Sequence, residues 1–181
     1  MADSFTVDVT RISREALRTM AADPGSAPHL DEERAVSVLN DVVATEVVGW
    51  LRYTRDALAA AGGGPEAAAA AALLTAHAEQ GMRHAVAVAE RITALGGRPN
   101  FDPDTLAQRA HTDYSVPADA ALTATLDRNL RAERIVLATY GEIADWFGDR
   151  DPASRDLLRS LADDVRRNAD ALADLLRSRG A

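Results

Sequence analysis

The chain has no cysteine and no lysine. Without cysteine there are no disulfides, thiolate metal sites or cysteine nucleophiles, and the redox compartment stays open. All 20 basic residues are arginine, which excludes Schiff-base chemistry and a phosphate-loop lysine. No apolar run is long enough to cross a bilayer, since the Ala-rich stretch 67–74 is too short. Residues 1–20 lack the apolar centre of a signal peptide. The expected location is therefore the cytoplasm, with no membrane partner. Excess positive charge is missing too. The net charge is −8, and the stretch 1–30 sets Arg11, Arg14 and Arg18 against Asp3, Asp8, Glu15 and Asp23. Both facts argue against nucleic-acid binding, which needs a basic surface.

What the chain does have is alanine and helical periodicity. At 181 residues and 47% hydrophobic content it fits one domain with a full-sized core. Residues 1–30 read as an N-terminal tail, partly flexible, with a short helix over 13–20 ended by Pro24-Gly25 and Pro28. The folded domain is 31–179. Helix A is predicted over 31–61, opening on acidic Asp31-Glu32-Glu33 at the positive end of its dipole and stopping at Gly62-Gly63-Gly64. Helix B is predicted over 65–95, between Pro65 and Gly96-Gly97. The connection over 98–117 carries Pro99, Pro103 and Pro117, with one helical turn over 104–110. Helix C is predicted over 118–147, stopping at Gly148, and helix D over 152–179, opened by Asp151-Pro152. Each long helix spans about 45 Å. Short A–B and C–D turns demand antiparallel hairpins, and the B–C link is long enough to run along the bundle. The expected class is all-α: a four-helix bundle with one long B–C crossover.

The two hairpins repeat one idea. Glu46 is followed seven residues on by Tyr53, and Glu133 seven residues on by Tyr140. All four fall on apolar helical stripes. The other polar residues on inward faces are His77, His84 and Asn168, and Trp50, Gly81 and Val165 share those faces. A buried carboxylate needs a partner or a metal, so Glu46 and Glu133 demand an explanation.

These residues resemble the bacterioferritin and bacterioferritin-like branch of the ferritins. The likeness rests on Leu39-Asn40, Ala44-Thr45-Glu46 and Leu51-Arg52-Tyr53 in helix A. In helix B it rests on His77-Ala78, His84-Ala85 and Ala89-Glu90-Arg91-Ile92, then Leu95-Gly96-Gly97. It continues through Arg109, His111 and Tyr114 in the crossover and Asn129-Leu130, Ala132-Glu133-Arg134-Ile135, Tyr140 and Asp151-Pro152 beyond it. The resemblance implies a ferritin-like shell subunit related to iron storage and detoxification. Its oligomer would be built from dimers into a 12- or 24-mer. In that family two irons are held by a Glu from each of helices A and C and by Glu-x-x-His pairs on helices B and D. Glu46, His84 and Glu133 fall on ligand positions. Gly81 stands where the helix-B Glu belongs, and Val165 and Asn168 where the helix-D Glu and His belong. The resemblance therefore implies an incomplete di-iron ferroxidase centre, with Trp50 filling space that the absent carboxylates leave.

Several readings stay open at this stage. Glu46, His84 and Glu133 make either a weak mononuclear iron site or a polar cluster in which charged His84 pairs with carboxylates. His77 is about 10 Å from His84 along the helix, too far to share its metal. Tyr53 and Tyr140 either hydrogen-bond the ligands or pack as core tyrosines. Met82 resembles the axial ligand of haem b between two bacterioferritin subunits, against the plainer reading of an interface methionine. The subunit forms a homo-oligomer or co-assembles with an active paralogue. The alternative function is a repurposed bundle, dimeric, whose pocket takes a small organic molecule.

Overall fold

A computed structural model describes residues 30–116 and 121–180. The tail predicted over 1–30 lies outside the described residues apart from Leu30. Five helices follow in order: α1 (Glu32–Ala60), α2 (Pro65–Ala94), α3 (Pro103–Arg109), α4 (Leu122–Phe147) and α5 (Pro152–Gly180). The four long ones form two antiparallel hairpins, α1 with α2 and α4 with α5, packed against each other as a four-helix bundle. The short α3 lies in the crossover and packs on α1.

Each end of a helix has a local cause. The Asp31 carboxylate caps α1 by accepting the Arg34 main-chain N–H at 3.1 Å. Pro65 opens α2, where its missing N–H costs nothing. At the other end of α2, Gly96 takes φ +77 and the Gly97 N–H returns to the Ile92 carbonyl at 3.0 Å. That pair of features is the αL ending that favours glycine. The Asp151 carboxylate caps α5 through the Ser154 N–H at 3.1 Å. Arg91 of α2 reaches the same turn, donating to Asp151 Oδ1 and Ser154 Oγ at 2.8 Å each. The predicted start of helix C at 118 falls on residues outside the description. Ala121, at ψ 130, is extended, so the helix proper begins at Leu122.

The crossover is fastened to α1 by polar side chains. Arg109 donates to the carbonyls of Asn40 at 2.6 Å and Asn100 at 3.0 Å. Thr45 Oγ1 gives its one proton to the Asp41 carbonyl at 2.8 Å and accepts the His111 main-chain N–H at 2.9 Å. His111 Nδ1, also 2.9 Å away, therefore carries the proton it shares with Thr45. Burial holds the His111 pKa down at about 4, which keeps the ring neutral. Farther along, buried Arg52 donates to Asn129 Oδ1 at 3.0 Å and to Thr112 Oγ1 and the Asp113 carbonyl at 3.1 Å. These bonds tie α1, α4 and the crossover together.

Two apolar clusters fill the bundle. One runs from Leu39, Val43 and Val88 to Phe147 and Leu158, and the other gathers Ala57, Leu74, Leu126, Leu130 and Leu172. Polar side chains from all four long helices collect where the two clusters meet.

Candidate functional site

The repeat seen in the sequence becomes an exchange across the bundle. Tyr140 of α4 donates its hydroxyl to Glu46 Oε1 of α1 at 2.7 Å. Tyr53 of α1 donates in turn to Glu133 Oε1 of α4 in a short hydrogen bond. Each helix thus supplies a carboxylate and the hydroxyl that satisfies the other's carboxylate. All four side chains are buried. Burial and the adjacent carboxylates push both tyrosine pKa values well above the ordinary phenol range, so both stay donors. Burial raises the Glu133 carboxyl to about 7, against the lowering effect of the Tyr53 bond; the Glu46 charge adds to the rise.

His84 completes a chain of charge. Its Nδ1 lies 3.3 Å from Glu46 Oε1 and its Nε2 lies 3.0 Å from Asp164 Oδ2. Burial alone would lower its pKa, but bonds to the two carboxylates outweigh this and raise it. An imidazole held between two carboxylates donates at both nitrogens. The two nitrogens face different ways, so Glu46 and Asp164 sit on opposite edges of the ring. Asp164, on the inward edge of α5, is a site residue that sequence reasoning passed over.

The remaining expected positions are accounted for. Gly81 is buried, and a Cβ built there would lie 3.3 Å from Glu46 Oε2 and 3.4 Å from the Glu46 carbonyl. The Glu46 carboxylate, not the Trp50 indole, is thus what stands over Gly81. Trp50 lines the cavity nearby and is partly exposed. Val165 is buried in the apolar cluster. Asn168 donates its amide to Gln80 Oε1 at 2.8 Å rather than to a carboxylate. His77 lies against Tyr53 edge-on, ring centres 5.4 Å apart, and its Nδ1 has no partner among the described residues. Burial lowers its pKa to about 4. Met82 stands apart from this group, half-buried beside Arg83, Val86 and Glu90 on the outer face of α2.

Glu46, Trp50, Tyr53, His77, His84 and Glu133 surround one cavity of about 30 Å³, roughly enough for one or two waters. Among the described residues no three His, Asp or Glu side chains converge with metal-holding geometry.

The sequence model of the family described as a ferritin-like domain matches residues 36–179, taking in all four long helices. This chain belongs to the ferritin-like domain family. Solved structures of the same fold agree. The dodecameric thioferritin of Bacteroides fragilis, a bacterioferritin-related protein, is 24% identical, with a TM-score of 0.78 over 92% of this chain and 95% of that one. Dps from Thermosynechococcus elongatus is 19% identical, with a TM-score of 0.73 over 80% of this chain and 90% of its own. The bacterioferritin of Desulfovibrio desulfuricans, whose structures concern a diiron site, is 18% identical, with a TM-score of 0.69 over 84% of each chain. At these identities the likeness is one of fold. Among curated proteins none matches the chain by sequence.

Proposed function

We propose that this ferritin-like chain is a shell subunit of the iron-storage type, in which the paired-metal centre has been replaced by a closed hydrogen-bond network. The carrying observation is His84 bound at both nitrogens by carboxylates, at 3.3 and 3.0 Å. With both ring nitrogens so engaged, His84 must give up a carboxylate partner and a proton before it can ligate a metal. The other side chains do not fit a di-iron centre either. Gly81 has no side chain to bridge two metals, Val165 has no donor atom, and Asn168 is engaged with Gln80. Glu46, His84 and Glu133 are the surviving ligand positions, and here each has a hydrogen-bonding partner within the protein. Met82 belongs to the outer face as an apolar side chain, and a haem role is not part of this reading.

Assembly comes from the relatives: the Bacteroides fragilis protein is a dodecamer, and this subunit is proposed to build a homo-oligomer or to join an active paralogue in a mixed shell. No described helix is long and apolar enough to cross a membrane. A pocket for an organic substrate finds little support, because about 30 Å³ holds water but not an organic molecule.

Ferrous iron added in air tests the proposal. The wild type is expected to show no fast phase consuming two irons per subunit. A triple variant, Gly81→Glu with Val165→Glu and Asn168→His, restores the full ligand set and is expected to oxidise iron at least about tenfold faster. Rapid oxidation of two irons per subunit by the wild type would overturn the reading.

A further inference from the structure

The buried cavity is walled by the four long helices and by one stretch that is not helical. Among the described residues that line it, only Thr112 belongs to no helix. Thr112 sits in the stretch 110–116, which has no regular secondary structure. Moving any helical wall would expose the apolar clusters, whereas lifting this stretch would expose little. Within 110–116 the only buried apolar side chain is Ala110, and Tyr114 and Val116 are 42% and 70% exposed. Segments with few buried apolar contacts are the ones that open locally while the rest of a fold stays packed.

Polar side chains of α1 hold the stretch down, in register along the helix. Thr45 accepts the His111 N–H at 2.9 Å. Arg52 donates to Thr112 Oγ1 and to the Asp113 carbonyl, both at 3.1 Å. Arg55 donates to the Ser115 carbonyl at 3.0 Å and lies over the Tyr114 ring, 4.8 Å from its centre. One buried carboxylate aims both arginines. Asp56 Oδ1 accepts Arg55 Nε and Nη2 at 2.9 and 2.8 Å. Asp56 Oδ2 accepts the Asn129 amide at 2.8 Å, and Asn129 Oδ1 accepts Arg52 Nε at 3.0 Å. We propose that residues 111–116 form a hinged strap over the cavity, latched by Arg52 and Arg55. Its opening as one unit admits water and small solutes to His77 and Glu133 while the four helices stay packed. Water can replace the latching bonds when the strap lifts, so opening leaves no donor or acceptor of the strap unsatisfied. His77 is the group inside that reports entry. It is buried, its Nδ1 has no partner among the described residues, and burial keeps its ring neutral above about pH 4.

The inference goes beyond the proposed function and needs neither a metal nor a second subunit. Two readouts on the full chain at neutral pH test it together. Hydrogen exchange of the His111 N–H follows the strap. Acylation of His77 by diethylpyrocarbonate, located by mass spectrometry, follows entry to the cavity. Arg52→Gln and Arg55→Gln are each expected to speed both at least about tenfold, since each removes bonds from a charged donor. Tyr114→Ala, an exposed change that loses only the ring under Arg55, is expected to speed both by about threefold. Exchange of amides in the middle of α2 is expected to stay at its wild-type rate, which marks the opening as local. Arg52 is buried, so if Arg52→Gln fails to fold, Arg55→Gln and Tyr114→Ala decide the matter. His77 acylated as fast in the wild type as in the variants would place the entrance elsewhere and overturn the proposal. Faster His111 exchange with His77 acylation unchanged would make the strap a tie rather than a door, and would overturn it equally.

Discussion

Glu133 shows how one side chain changes meaning when its surroundings change. As a metal ligand it would be ionised. Here it is buried, accepts one hydroxyl from Tyr53, and titrates near neutrality at about 7. The folded pKa lies above the unfolded value, so the folded state binds more protons between about pH 4.5 and 7. Stability attached to this group is therefore present in acid and lost as pH rises through 7. Glu133→Gln keeps an acceptor for Tyr53 and removes the charge. The variant is expected to match the wild type near pH 4 and to exceed it by up to about 3 kcal/mol at pH 8. Urea unfolding at the two pH values checks this. Glu46, Tyr53, Glu133 and Tyr140 were legible in the sequence because polar residues at helical spacing inside apolar stripes have few alternatives to a shared site. Asp164 was not. It lies among Asp163, Asp170 and Asp174, which face solvent, and nothing local distinguishes the one carboxylate that turns inward. Its role appears only when α2 brings His84 beside it.

At the level of elements, the helix ends were the most readable part. Proline at the start of α2 and α5, glycine after α2 and α4, and an aspartate cap on α1 each mark a boundary for a stated chemical reason. The crossover was less readable, since its hold on α1 depends on contacts distant in sequence, such as Thr45 with His111. Gly97 joins the two kinds of information. It ends α2 by returning its N–H to Ile92, and it packs against α1 where no side chain fits: a Cβ there would meet Val36 at 2.4 and 2.7 Å. Gly97→Ala is therefore expected to destabilise the protein by about 1–3 kcal/mol through overpacking, with the iron response unchanged. Thermal unfolding measures the first half of that expectation and an oxidation assay the second.

For the molecule as a whole, apolar packing and mutual hydrogen bonding fill the bundle along its length. Two apolar clusters close the ends, and hydroxyls, an imidazole and carboxylates satisfy one another between them. The all-helical fold and its long crossover followed from periodicity and breakers. The placement of the Glu46 carboxylate over Gly81 did not, because it depends on how closely α1 approaches α2. The most direct measurement of the central claim is anomalous diffraction at the iron edge from a crystal soaked in ferrous salt. The account predicts no pair of adjacent, fully occupied iron peaks among Glu46, His84 and Glu133. Two such peaks roughly 3.5–4 Å apart, as in other two-metal sites, would contradict it.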